Sequence, residues 1–279
     1  MKKLITILAI FFASLFIFAS LLAVNLYVSK EAKAELFDEI KCNDQQTVIE
    51  ILDKYPKLVN KFRYHVLFTP IDAPNSSPLI TAIKSENLEM VKLLVERGAD
   101  VNMRVYSSRP LHEAILMKEF DIVWYLIENG ADISKKGGIF EETVLSCTLS
   151  RKVTSDDTEW KQDQFELFKY FIENGAPLDP PDGPYEKIES LLALAAYMNN
   201  DLIVKYLLDH EVCEIDAIAN PKSTQKTALI FAVQQKSYES CKILFEYGAD
   251  KSITDIDGKT AMDYALEMND EQLISMLSD

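Results

Sequence analysis

Glu96-Arg97-Gly98-Ala99-Asp100 decides the fold, because the chain writes it again as Glu128-Asn129-Gly130-Ala131-Asp132, Glu173-Asn174-Gly175-Ala176-Pro177 and Glu246-Tyr247-Gly248-Ala249-Asp250. The intervals between the glycines are 32, 45 and 73 residues, and Glu211 sits midway in the last one. Self-similarity at such a period is the signature of a stacked array. Working back from Gly98, Gly130, Glu211 and Gly248, a second marker lies 20 residues upstream: Ser77-Pro78-Leu79, Arg109-Pro110-Leu111, Ser190-Leu191-Leu192 and Thr227-Ala228-Leu229. Between the markers runs an apolar stripe at i, i+1, i+4 and i+5. It reads Met90, Val91, Leu94, Val95, then Ile122, Val123, Leu126, Ile127, then Leu167, Phe168, Phe171, Ile172, then Ile203, Val204, Leu207, Leu208. That spacing puts each quartet on one helical face. The glycine that follows tolerates the left-handed conformation that ends a helix.

The register extends in both directions. Val48, Ile49 and Leu52 precede Pro56 in a unit starting near Leu36, and Thr260-Ala261-Met262 leads to Leu273, Ile274 and Leu277. Both end units are shorter or more polar than the rest, as the caps of an array should be.

Pro110-Leu111-His112-Glu113-Ala114-Ile115, the run from Val91 to Asn102, and Tyr247-Gly248-Ala249-Asp250 resemble ankyrin repeats. The resemblance covers residues 35–279. It implies an all-α ankyrin-repeat solenoid of about five full repeats with shortened N- and C-terminal cap units, and one N-terminal signal or transmembrane helix ahead of it. The units fall at about 35–60, 77–102, 109–134, 143–179, 190–216, 227–252 and 260–279. Family geometry further implies two antiparallel helices per unit, hairpin fingers between units and a concave binding face.

Composition narrows the partners. The chain has 279 residues, 44 acidic and 29 basic side chains, and a formal charge of −15. A nucleic-acid binder usually shows a basic footprint, so no nucleic-acid partner is expected. The only adjacent glycines are Gly137 and Gly138, which excludes a glycine-rich phosphate loop. After Lys2 and Lys3 comes an apolar run from Leu4 to Val28, 25 residues long. A helix of roughly 20 apolar residues crosses a bilayer, and a cleaved signal has an apolar region of only about 7–15. Yet Ala32-Lys33-Ala34 is an acceptable cleavage site. Residues 1–34 are therefore a signal anchor or a signal peptide. Either way the bulk of the chain is expected in the periplasm, anchored to the inner membrane through residues 4–28 or released after Ala34. Without residues 1–34, 25 basic and 43 acidic residues remain, a charge of −18. Such a charge favours a basic partner and steers its approach.

The array departs from the family in its connections. Val144 to Gly175 spans 31 residues, and the extra ones fall between Lys152 and Asp163, a polar stretch that reads as an exposed loop carrying Trp160. A long loop runs from Lys61 to Pro70 and contains Tyr64, His65 and Phe68. Aromatic loop residues match the composition of binding hot spots, and equally suit a loop folded over the cap. In the family, two residues near the end of each first helix face the concave surface. Carried onto this chain they are Lys84 and Ser85, Leu116 and Met117, Ser150 and Arg151, Tyr197 and Met198, and Gln234 and Gln235. The candidate contact residues are Leu116, Met117, Arg151, Tyr197 and Met198, with Tyr64, Phe68 and Trp160 from the loops.

Chemistry finds little support. No G-x-S-x-G, H-E-x-x-H or P-loop pattern occurs. His112 stands at the family's Pro-Leu-His position, where the implied role is structural hydrogen bonding. Cys42, Cys147, Cys213 and Cys241 are 105, 66 and 28 positions apart, with no metal-binding spacing. Cys241 falls in an apolar stripe and reads as a buried small hydrophobe. Asp255 and Asp257 read as solvated turn charge. No catalytic residue, cofactor or metal is expected, and the chain is read as a binding protein, not an enzyme. The envelope signal, the short array and the acidity together resemble envelope immunity proteins that neutralise type VI secretion lipase effectors. A basic-surfaced lipase effector is the partner this implies. The alternative is a periplasmic scaffold in envelope or oxidative-stress defence.

Overall fold

The computed structural model describes residues 30–61, 76–138, 141–149, 158–178, 190–219 and 224–278. They form two compact units, one up to Val105 and one from Tyr106. The described residues are helical apart from turns, loops and isolated bridges, among them an antiparallel one between Gly137 and Glu142.

The first unit holds α1 (residues 30–42), α2 (Gln45–Lys54), a short 3-10 helix (Pro56–Asn60), α3 (Pro78–Lys84) and α4 (Leu88–Glu96). The second holds α5 (Pro110–Met117), α6 (Phe120–Glu128), α7 (Val144–Thr148), α8 (Thr158–Glu173), α9 (Leu191–Tyr197), α10 (Asp201–Asp209), α11 (Ala228–Gln234), α12 (Tyr238–Glu246), α13 (Ala261–Glu267) and α14 (Glu271–Ser278). From α3 onward consecutive helices pair as hairpins. In the second unit the first helices stack on one another, α5 on α7 and α9 on α11 on α13; the second helices stack likewise, α8 on α10 on α12.

Local sequence explains the hairpins. Ser77, Thr143, Ser190, Thr227 and Thr260 each cap a first helix by accepting an amide hydrogen bond. Thr260 does so in a reciprocal capping box with Asp263. Asn87 and Asn200 cap second helices in the same way. Between the two helices the chain turns through one left-handed residue, Glu86, Lys118, Asn199, Lys236 or Asn269. The stripe forms the core as its spacing demands. Met90, Val91, Leu94, Ile122, Val123, Leu126, Leu167, Phe168 and Phe171 are fully buried, and the fourth member (Val95, Ile127, Ile172) is half-buried at the rim. In α10 the fourth member, Leu208, is buried too.

One expectation needs correction. The stretch up to Asp163 does not remain a loop to its end. From Thr158 it is helix, so α8 has 16 residues where α4, α6, α10 and α12 have nine. The extension adds about two turns, roughly 10 Å, ahead of the repeat register. Three contacts hold it: Lys161 pairs with Asp201, and the buried Gln164 donates to the Thr148 carbonyl and accepts from Asn200. Residues 152–157 lie outside the described residues. Helix α1 spans residue 34, and Ala32 is buried with Leu36, Phe37 and Ile40. No helix among the described residues is long and apolar enough to cross a membrane, and the run from 4 to 28 lies outside them.

Glu211 replaces the helix-ending glycine, and its φ of 51° is left-handed like those of Gly98, Gly130, Gly175 and Gly248. A side chain in that region costs roughly 1–2 kcal/mol, partly offset by a less floppy unfolded chain. Glu211→Gly is therefore expected to stabilise the protein by up to about 1 kcal/mol, read as a rise in the urea midpoint. A fall would mean that the Glu211 side chain outweighs the strain.

Candidate protein-binding surface

The residue two places before α3, α5, α7, α11 and α13 meets the fourth residue of that helix. In the first unit Ser76 and Thr81 share a 2.8 Å hydroxyl bond. In the second unit Ser108 Oγ donates to Glu113 Oε1 at 2.5 Å, and Cys147 Sγ donates to Glu142 Oε2 at 3.6 Å. Lys226 Nζ lies 5.8 Å from the centre of the Phe231 ring, and Lys259 Nζ lies 5.4 Å from that of Tyr264. Sequence reading missed this ladder, although its spacing of five residues is constant. It pairs polar groups at one end of the second unit and cations with aromatic faces at the other.

None of these pairs makes a catalytic constellation. His112 is 2% exposed, and its Nε2 lies 2.9 Å from the Glu142 carbonyl. That is the structural role the Pro-Leu-His resemblance implies. Burial pushes the Glu142 carboxyl up, and burial reinforced by Glu142 pushes the Cys147 thiol well above its ordinary value. A thiol so held stays protonated and unreactive. Burial likewise pushes Cys241 up to about 12. No cluster of His, Cys, Asp and Glu among the described residues is arranged to hold a metal. Asp255 is not solvated charge: it is 3% exposed. Burial pushes its carboxyl up, but bonds from the Tyr264 hydroxyl and the Lys259 and Asp257 amides outweigh this and hold it below the usual carboxylate range. It ties the last turn together.

The candidate contact residues separate. Leu116 and Met117, adjacent at the end of α5, are 41% and 38% exposed. Lys118, next in the chain, holds its ammonium 4.4 Å from the centre of the Trp160 ring. Trp160 is thus half-buried on the α8 extension instead of standing in a loop. Tyr197 is half-buried and meets Phe231 edge to face at 5.7 Å. Met198 does not belong to the surface: it is 3% exposed. Asn200, two residues on, is also fully buried, and its side chain donates to Gln164. Arg151, Tyr64 and Phe68 lie outside the described residues.

Comparisons with known proteins agree with the architecture. The family model described as ankyrin repeats, in three copies, matches residues 40–137 and 160–255. The chain is similar to the ankyrin repeat domain of human ASB11, with a TM-score of 0.60 and 20% identity, covering 87% of this chain and 96% of that one. It is also similar to EF0377, an ankyrin repeat protein, with a TM-score of 0.56 and 26% identity over 72% of this chain and 96% of that one. Diacylglycerol kinase iota of Rattus norvegicus and of Homo sapiens are each 39% identical over 88 residues, 32% of this chain but 8% of the kinase. The chain thus spans a small part of those relatives. This fold is generally a non-enzymatic scaffold for binding protein partners, and the chain belongs to the ankyrin-repeat family.

Proposed function

We propose that the chain is a non-enzymatic envelope protein that neutralises an antibacterial effector of phospholipase type by covering it. The observation that carries the binding reading is the pair of adjacent, exposed apolar residues Leu116 and Met117 beside an extension of α8. Exposed apolar groups in a polar surround are the usual mark of an interaction patch. The acidity supports a basic-surfaced partner, which it would attract and orient. Envelope location rests on the apolar run from Leu4 to Val28 and its flanking lysines. Burial of Ala32 in the cap core favours the uncleaved anchor, since cleavage after Ala34 would remove a packed turn of α1.

The test is a competition between sister strains. A strain lacking the gene should be killed by its secreting parent and rescued by the full chain supplied from a plasmid. Full resistance of the deletion strain, with altered peroxide sensitivity instead, would overturn the immunity reading and favour the stress-defence scaffold.

A further inference from the structure

We infer that Leu116, Met117 and Trp160 form one docking step, and that its occupant is a segment of the protein partner with an apolar tip flanked by basic residues. The inference rests on the protein-binding reading above and gives that reading a place and a chemistry. Three observations converge. Leu116 and Met117 are exposed side by side at the end of a first helix. The α8 extension brings Trp160 to the residue that follows them, through the 4.4 Å approach of Lys118 to its ring. That extension is built, not incidental, since Lys161 and Gln164 tie it to Asp201, Thr148 and Asn200. Exposed aliphatic groups beside an aromatic plate suit an apolar side chain.

Charge selects what surrounds that side chain. Both cations of the local segments are engaged within the protein, Lys118 over Trp160 and Lys161 on Asp201. In the same stretches of chain Asp121, Asp163 and Glu166 are exposed and Glu119 is half-buried. A partner segment flanked by Lys or Arg meets this rim favourably, whereas one flanked by carboxylates meets like charge.

Trp160 is also the reporter. The chain has two tryptophans, and Trp124 packs edge to face on Tyr170, so Trp124→Phe leaves Trp160 as the single emitter with the neighbouring contact largely kept. The probe is a short peptide with two adjacent leucines between lysines, titrated against the full-length Trp124→Phe protein in zwitterionic nanodiscs, with empty nanodiscs as the blank. A saturable blue shift of Trp160 emission is expected. Replacing the peptide's lysines by glutamates, or making Leu116→Ser with Met117→Ser in the protein, should weaken binding by about tenfold or more. Because both residues are exposed, the doubly substituted protein should keep its melting temperature, so loss of binding is not loss of fold. The inference is overturned if the lysine peptide does not bind, if the glutamate peptide binds as well, or if the double substitution leaves affinity unchanged. Failure of the wider binding-and-immunity reading is scored separately, by survival in the sister-strain competition.

Discussion

Met198→Asp should destabilise the protein by more than about 4 kcal/mol, while Leu116→Asp, an apolar-to-acid change at the corresponding end of another first helix, should cost about 0.5 kcal/mol or less. The contrast follows from 3% exposure against 41%. Removing a buried methionine already costs roughly 2–5 kcal/mol. An unpaired carboxylate in its place adds a desolvation penalty of several kcal/mol unless it takes up a proton. At about 2–4 °C per kcal/mol for a protein of this size, the melting temperature should fall by roughly 10 °C or more. Because repeats contact mainly their neighbours, the loss should begin in the hairpin of α9 and α10 and spread from there. Tyr197→Asp belongs between the two, since it gives up the edge-to-face contact with Phe231, worth about 1 kcal/mol beyond area. Thermal unfolding of the three variants side by side is the check. If Met198→Asp melts with Leu116→Asp, Met198 faces solvent and the ends of α5 and α9 are equivalent after all.

That pair also shows where sequence reading stops. Met117 and Met198 hold the same place in the repeat, seven residues after Pro110 and Leu191. Nothing local distinguishes them. What separates them is their tertiary surroundings, which leave Met117 38% exposed and Met198 3%. The extension was itself hidden for the same reason. The residues from Thr158 to Asp163 are polar apart from Trp160 and read as loop by composition, yet they continue the helix that runs on to Glu173, and Lys161 and Gln164 hold them to partners 16 to 40 residues away. The hairpin register, in contrast, is written locally. Its caps, its apolar quartets and its glycine stops each act within a few residues, so they survive translation from sequence to structure. Glu211 shows how firmly: the backbone adopts the left-handed stop even without its glycine.

Gly137→Ala should destabilise the protein by about 2–5 kcal/mol, more than Ala at any of the glycines that end second helices. The cause is space, not backbone angle. A Cβ at Gly137 would lie 2.7 Å from Cγ, 2.8 Å from Cδ2 and 2.9 Å from Nδ1 of His112, closer than carbon atoms approach. His112 has nowhere to go, since its ring is 2% exposed and its Nε2 is held on the Glu142 carbonyl. Yielding means overpacking, at about 1–3 kcal/mol, together with loss of a buried hydrogen bond, at about the same. Gly130→Ala meets no atom within 4 Å and bears only its left-handed angle, φ 86°, a cost of roughly 1–2 kcal/mol. Sequence reading saw Gly137 and Gly138 only as a pair too isolated for a phosphate loop. Their work is to let the bridge between Gly137 and Glu142, closed by amide bonds of 2.9 and 2.6 Å, pass directly over the imidazole. A double-mutant cycle isolates the contact. In a His112→Ala background the Gly137→Ala penalty should fall below about 1 kcal/mol, because the new methyl then enters the space the ring has left. If the penalty is the same in both backgrounds, the glycine is required by the bridge itself and the imbalance between Gly137 and Gly130 has another source.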